Sequence, residues 1–216
     1  MQRDNPLARM PDRRTPLGLE PLQPGLFADI RADLRAHGGR WGAQGFWALA
    51  VYRFGRWRYG LRPALLRRLM SAVYKVMFKL VQIATGIELP CEAIIGRNFV
   101  IDHQGGIIVS GYARIGDDCR IRDGVCIGLA RVDEPCAPVI GNRVDIGSGA
   151  KLLGRITIGD DVLIGANAVV IKDVPANSTA AGVPAVVRPR RTEASDSRDV
   201  KTGQRAAYAV AQTRGD

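Results

Sequence analysis

Histidine is almost missing from this chain: its 216 residues hold two, His37 and His103. A metal centre built on three imidazoles of one chain is therefore excluded. Aromatic residues are scarce at 6%, so Ile, Val, Leu and Ala must fill the core. The four cysteines, Cys91, Cys119, Cys126 and Cys136, form no CxxC pair, which removes zinc ribbons and dithiol redox motifs. No apolar run is long enough to span a bilayer. The best one, 63–84, is broken by Arg67, Arg68, Lys75 and Lys79. The first residues are polar and rich in Arg and Pro, with no apolar h-region, so no secretory signal is expected. The expected compartment is the cytoplasm, where the thiols stay reduced.

Acidic residues are scarce in one part only. Residues 1–83 carry 15 Lys/Arg against 5 Asp/Glu, whereas 84–216 carry 16 of each. The net charge of +10 therefore belongs to the N-terminal part. No nucleic-acid motif accompanies it, and no nucleic-acid partner is expected. It reads as a solvated Arg-rich surface, with contact of the basic helices to a membrane surface as the second reading.

What is present falls into four segments. Residues 1–24 show no hydrophobic period and are expected to be a disordered tail. In 25–84, apolar residues recur at helical spacing: Phe27, Ile30 and Leu34, then Phe46, Leu49, Ala50, Tyr52 and Phe54, then Leu65, Leu66, Leu69, Met70, Val73, Met77, Leu80 and Val81. Gly38-Gly39 and Gly60 break these helices. The apolar face of 63–84 is expected to pack on the following domain. Residues 190–216 are polar and expected to be disordered.

Between them, 85–189 has a period of six. Ile140, Ile146, Leu152, Ile158, Ile164 and Val170 form one series, and Val109, Ile115, Ile121 and Ile127 another. Two positions earlier lie Pro138, Val144, Ala150, Ile156, Val162 and Ala168. Six residues make one flat side of a triangular coil, a short strand plus a turn. The sixth-residue aliphatics stack inward, and Gly, Asp and Asn supply the turns. Three sides make a coil of about 18 residues, so the segment forms roughly five coils of a parallel β-helix. The fold class is mainly β, with an α-helical N-terminal region that can close one end.

The period fails twice, at Asp102-His103-Gln104-Gly105-Gly106 and at the insertion GLARVDEPCAPV between Ile127 and Ile140. Breaks in a strict repeat are where function concentrates. His103 sits in the first. An imidazole beside Gly-Gly leaves room for a substrate and suits removal of a proton from an alcohol near neutrality. A base needs an orienting partner, and Glu88 lies 15 residues earlier, close to one coil back. His37, in Ala36-His37-Gly38-Gly39, reads as a solvated or capping residue at a helix end.

The stretches FVIDHQGGIIV, GDDCRIRDGVCIG and IGNRVDIGSGAKLLGRITIGDDVLIGANAVVIKDVPANSTAAGVPAVVRP resemble the serine O-acetyltransferase family of left-handed β-helix, hexapeptide-repeat enzymes. GFWALAVYRFGRW resembles its helical N-terminal part. The resemblance implies that His103 deprotonates the acceptor hydroxyl, which attacks acetyl-CoA directly, with no metal. It implies that Asp102 contacts the acceptor and that Glu88 stands where the family has the carboxylate that orients the base. It implies a homotrimer, or a dimer of trimers, with each site between neighbouring helices. The acetyl-CoA arm is then expected along the later coils, at Gly147-Ser148-Gly149 and Gly165-Ala166-Asn167, with Lys172 and Arg188 as partners of its phosphates. Ser148, Gly149, Gly165 and Ala166 are equally the turn residues that any β-helix needs.

The chain departs from the family in the inserted loop. Where the family carries an Arg-His pair that grips the substrate carboxylate, this chain has Cys136 and Ala137. The acceptor is accordingly left between serine and a sugar or polysaccharide hydroxyl. A non-catalytic β-helix scaffold is the alternative of another class. A metal-dependent β-helix enzyme of the γ-carbonic-anhydrase type would need histidines that the repeat region lacks.

Overall fold

The computed structural model describes residues 25–103, 105–131 and 133–190. The expected tails, 1–24 and all of 190–216 but Arg190, lie outside the described residues. The chain opens with three helices, α1 (Leu26–Ala36), α2 (Gln44–Trp57) and α3 (Ala64–Thr85). α1 ends before Gly38-Gly39, and a 3-10 turn over Arg58–Gly60 follows α2. Gly86, in the left-handed conformation with φ 67°, caps α3.

The repeat then becomes strand after strand: β1 (Ile87–Glu88), β2 (Ile94–Ile95), β3 (Val100–Ile101), β4 (Ile107–Val109), β5 (Arg114–Ile115), β6 (Arg120–Ile121), β7 (Cys126–Gly128), β8 (Val139–Ile140), β9 (Asp145–Ile146), β10 (Lys151–Leu153), β11 (Thr157–Ile158), β12 (Leu163–Ile164), β13 (Val169–Val170), β14 (Ser178–Ala181) and β15 (Val186–Pro189). They form three sheets, ordered β1-β4-β7-β10-β13, β11-β8-β5-β2 and β15-β14-β12-β9-β6-β3. All pairings are parallel except the terminal β14–β15. This is a left-handed parallel β-helix with helices at its N-terminal end.

Register explains the period. Ile140 pairs with Ile158 and Ile146 with Ile164, one 18-residue coil apart. The inward series Ile115, Ile121, Ile127, Ile140, Ile146, Leu152, Ile158 and Ile164 is buried, as are Val144, Ala150, Val162 and Ala168 two positions earlier. The turn from the second sheet to the third repeats one left-handed residue per coil, at Asn98, Asp118, Arg143, Asp161 and Asn177. Asn and Asp tolerate that conformation better than other side-chain-bearing residues. The two breaks lengthen their coils: Ile101 pairs with Ile121 and Ile121 with Ile146.

The first coil has no preceding strand, and the helices satisfy its free backbone groups. Tyr52 Oη donates to Ala93 O and accepts from Ile95 N–H, both at 3.0 Å. Arg53 donates to Ile95 O and Gly96 O at 3.2 and 2.7 Å, while Asp33 holds its guanidinium in a buried ion pair at 2.9 Å. His37 Nε2 accepts Ile101 N–H at 3.2 Å. His37 also accounts for the end of α1: Nδ1 donates to Asp33 O at 2.8 Å. The capping role expected of His37 therefore holds, but the residue is buried at 4% exposure, not solvated.

One expectation is overturned. α3 turns only Tyr74 and the partly buried Phe78 and Val81 toward the core. Its broader apolar face stays uncovered in the chain, with Leu65 81%, Leu80 62% and Ile83 73% exposed. At 100° per residue, Tyr74, Phe78 and Val81 occupy one flank of the helix, whereas Leu65, Leu69, Val76, Leu80 and Ile83 share another. No helix among the described residues is long and apolar enough to cross a membrane.

Candidate active site

The two breaks in the repeat lie on different edges of the prism. Asp102–Gly106 joins β3, in the third sheet, to β4, in the first. The inserted loop joins β7, in the first sheet, to β8, in the second.

His103 is exposed. The edge that bears it is built from four stacked turns. Gly105 N–H donates to Thr85 O at 3.0 Å, and Gly124 N–H to Gly105 O at 2.8 Å. Gly149 N–H then donates to Asp123 O and Asn167 N–H to Ser148 O, each at 2.8 Å. Ser148 Oγ donates to Asp123 Oδ1 at 2.8 Å. Four residues expected to line a cosubstrate, Ser148, Gly149, Gly165 and Ala166, thus fall on the edge of His103. The stacking itself explains two of them. A Cβ on Gly149, whose φ is 73°, would overlap Asn167 Oδ1, and one on Gly165 would come within 2.9 Å of Ala181 Cβ. Two residues after His103, Gly105 has φ 100° and nothing within 4 Å of its missing Cβ, so the space beside this turn is open.

Asp102 points out of the third sheet and forms an ion pair with Arg120 of β6, Nη1 lying 3.1 and 3.2 Å from its two oxygens. Arg122, on the other side of Ile121, is held by Asp145 at 2.5 and 3.3 Å. That hydrogen bond raises Arg122 above its ordinary guanidinium pKa. Outside His103 this surface is therefore two acids and two bases in alternation. Sequence reasoning passed over both arginines. The available signal was their position: they flank the inward Ile121, one coil above Asp102.

Glu88 registers with Ile108, and its Oε2 accepts from Gln82 Nε2 at 2.9 Å. No hydrogen bond joins it to His103 among the described residues. Lys172 follows β13 and lies on the inserted loop's edge, and Arg188 lies in β15 opposite Thr179. Neither is on the edge of His103. In the loop, Cys136 and Ala137 are half-buried. Arg131 is bound by Asp133 of the same loop, two contacts at 3.0 Å.

Residues 137–172 match the family model described as "Bacterial transferase hexapeptide (six repeats)". A serine acetyltransferase of Helicobacter pylori is 44% identical over 128 residues, covering 59% of this chain and 75% of that protein. One of Mycobacterium tuberculosis is 39% identical over 132 residues, covering 61% and 58%. Among solved structures, serine acetyltransferase from Brucella abortus strain S19 superposes with a TM-score of 0.65 at 28% identity, over 79% of this chain and 71% of that one. Soybean serine acetyltransferase complexed with serine gives 0.64 at 30% identity, over 76% and 69%.

Proposed function

The chain belongs to the serine acetyltransferase family, and from that premise we propose that it transfers the acetyl group of acetyl-CoA to the side-chain hydroxyl of L-serine, with His103 as general base. One juxtaposition supports this reading most. The chain's single histidine outside the helical region stands exposed at a break in the repeat, on the edge that also carries Ser148, Gly149, Gly165 and Ala166.

His103 takes the hydroxyl proton as the oxygen attacks the thioester carbonyl, so the C–O bond forms as negative charge gathers on the carbonyl oxygen. Backbone N–H groups of the glycine-rich edge are suited to hold that charge. The C–S bond then breaks, and the imidazolium returns the proton to the departing thiolate. Asp102 contacts the acceptor. Glu88 follows Gly86 by two residues, and Gly86 lies beneath Gly105, where a Cβ on it would be 3.2 Å from Gly105 Cα; to serve as the orienting carboxylate of His103, Glu88 must exchange its Gln82 contact for the imidazole. The extended arm of acetyl-CoA lies along the glycine-rich edge, with Lys172 and Arg188 on its phosphates.

The working unit in this reading is a homotrimer. His103 and the inserted loop sit on different edges of one prism, and a threefold assembly brings the loop of one copy to the His103 edge of the next. Lys172 shares the loop's edge and reaches the site from that neighbour. The second reading, a sugar or polysaccharide hydroxyl as acceptor, is favoured by one observation: Cys136 and Ala137 offer no cation for a carboxylate. CoA release measured with L-serine, homoserine and a panel of sugars separates the two. Turnover with sugars and none with L-serine would replace the first reading by the second.

A further inference from the structure

If Cys136 and Ala137 offer no cation, an amino-acid acceptor must find one at another position. Four arginines are candidates. Arg114 is buried in the second sheet, off the edge of His103. Arg131 is occupied by Asp133 through Nε and Nη2. Arg122 is occupied by Asp145 through Nη1 and Nη2, and Nη1 also donates to Ile146 O at 3.3 Å.

Arg120 differs. It holds Asp102 with Nη1 alone, and among the described residues Nε and Nη2 donate to nothing. Its side chain is 48% exposed and that of Asp102 21%. Its partner, Asp102, is the chain neighbour of His103, so Nη1 anchors the guanidinium one residue from the general base. Nε and Nη2 are the two-pronged donor edge that matches a carboxylate.

We infer that Arg120 binds the carboxylate of an α-amino-acid acceptor through Nε and Nη2, while Asp102, fixed by Nη1, takes the acceptor's ammonium group. This inference rests on the serine reading above and deepens it. An amino acid is a zwitterion, and the Asp102–Arg120 pair presents the complementary two charges side by side. Binding both ends of the zwitterion leaves its hydroxyl to face His103. A sugar has neither charge and gains nothing from the pair. The cation that the family places in the loop is then supplied by a strand one coil above Asp102.

The test compares L-serine with L-serinamide, which keeps the hydroxyl and the ammonium but has no carboxylate. Wild type is expected to favour L-serine in kcat/KM by about 10- to 100-fold, the range of a charged hydrogen-bonded contact. Arg120→Gln is expected to abolish that preference: kcat/KM falls for both acceptors as Asp102 loses its Nη1 partner, but about 10- to 100-fold further for L-serine than for L-serinamide. The KM for acetyl-CoA should not move. Arg120→Lys, which keeps the charge and loses the fork, should fall between. An unchanged melting curve establishes that Arg120→Gln folds. Equal losses on both acceptors would overturn the assignment, since Arg120 would then act only by holding Asp102. So would a wild type that does not distinguish the two, or a variant that keeps the preference. A wild type that acetylates sugars but neither serine nor serinamide sinks the serine reading and this inference together; the other negative outcomes leave serine transfer standing.

Discussion

His37 Nε2 accepts the backbone N–H of Ile101 at 3.2 Å, two residues before His103 and 64 residues after His37. Its other nitrogen donates to Asp33 O at 2.8 Å, and Asp33 in turn holds Arg53. One imidazole thus ties α1 to the strand that carries the general base. β3 is the first strand of its sheet, so this N–H has no other backbone to meet.

His37→Ala is therefore expected to leave the buried Ile101 N–H unpaired, costing about 1–3 kcal/mol, while Asp33 O keeps the backbone N–H of residue 37. Gly45 packs against the same point, where a Cβ would overlap Ile101 O and lie 3.2 Å from His37 Nε2. The site can therefore relax only slightly. A urea titration checks this: the midpoint should fall, with the slope unchanged. A midpoint equal to wild type would show that Ile101 N–H finds another partner.

His103 carries the opposite expectation. It is exposed and no hydrogen bond of the fold depends on it among the described residues, so His103→Ala should melt like wild type. Its acetyl-transfer kcat should drop by about 10²- to 10⁴-fold. Affinity for CoA, measured by calorimetry, should stay within a few-fold. Full turnover in the variant would point to the scaffold alternative.

The solenoid was legible in the sequence because its determinant is local: an inward aliphatic every six residues becomes the stacked core of Ile115, Ile121, Ile127 and their successors. The two breaks were legible for the same reason, as departures from a strict rule. The partners of His103 were not, because they depend on register. Asp102 and Arg120 are 18 residues apart in a stretch whose coil is two residues longer than the regular 18-residue coil. The sequence alone gives no sign that Arg120 and not Arg122 meets Asp102. The exposed face of α3 was missed because an apolar stripe predicts burial without saying against what.

Gly149 separates a structural role from a binding one. Its φ of 73° and the position of Asn167 leave no room for a Cβ. Gly149→Ala should therefore lower the melting temperature whether or not acetyl-CoA is bound, with the left-handed conformation alone costing about 1–2 kcal/mol. Ala166 is exposed on the next turn of the same edge and carries no such constraint. Ala166→Leu should leave the melting temperature near wild type and raise the KM for acetyl-CoA severalfold. If the KM is unmoved, the arm of acetyl-CoA lies elsewhere.

Cys119 sets an alkaline limit on the fold. Burial pushes its thiol up to about 11 from an ordinary value of 9.0, and nearby Asp118, Asp117 and Asp160 push the same way. The side chain is 0% exposed and donates to Gly141 O at 3.1 Å. A group raised in the native state favours folding below its unfolded pKa and loses that contribution as pH climbs through the native one. Stability should therefore be level up to about pH 9 and fall between 9 and 11. One proton gives a slope of about 1.4 kcal/mol per pH unit in that window. Burial raises Tyr52 and Tyr74 in the same direction, so the decline continues above pH 10. Cys119→Ala removes the first part alone: its stability should stay level to about pH 10. Urea midpoints at half-unit steps from pH 7 to 11 check this, and identical profiles for the variant and wild type would refute it. Thiol labelling at pH 8 gives the companion readout. Cys126 and Cys136 are half-buried and should react in the native protein, whereas Cys91 and Cys119 should react only after denaturation.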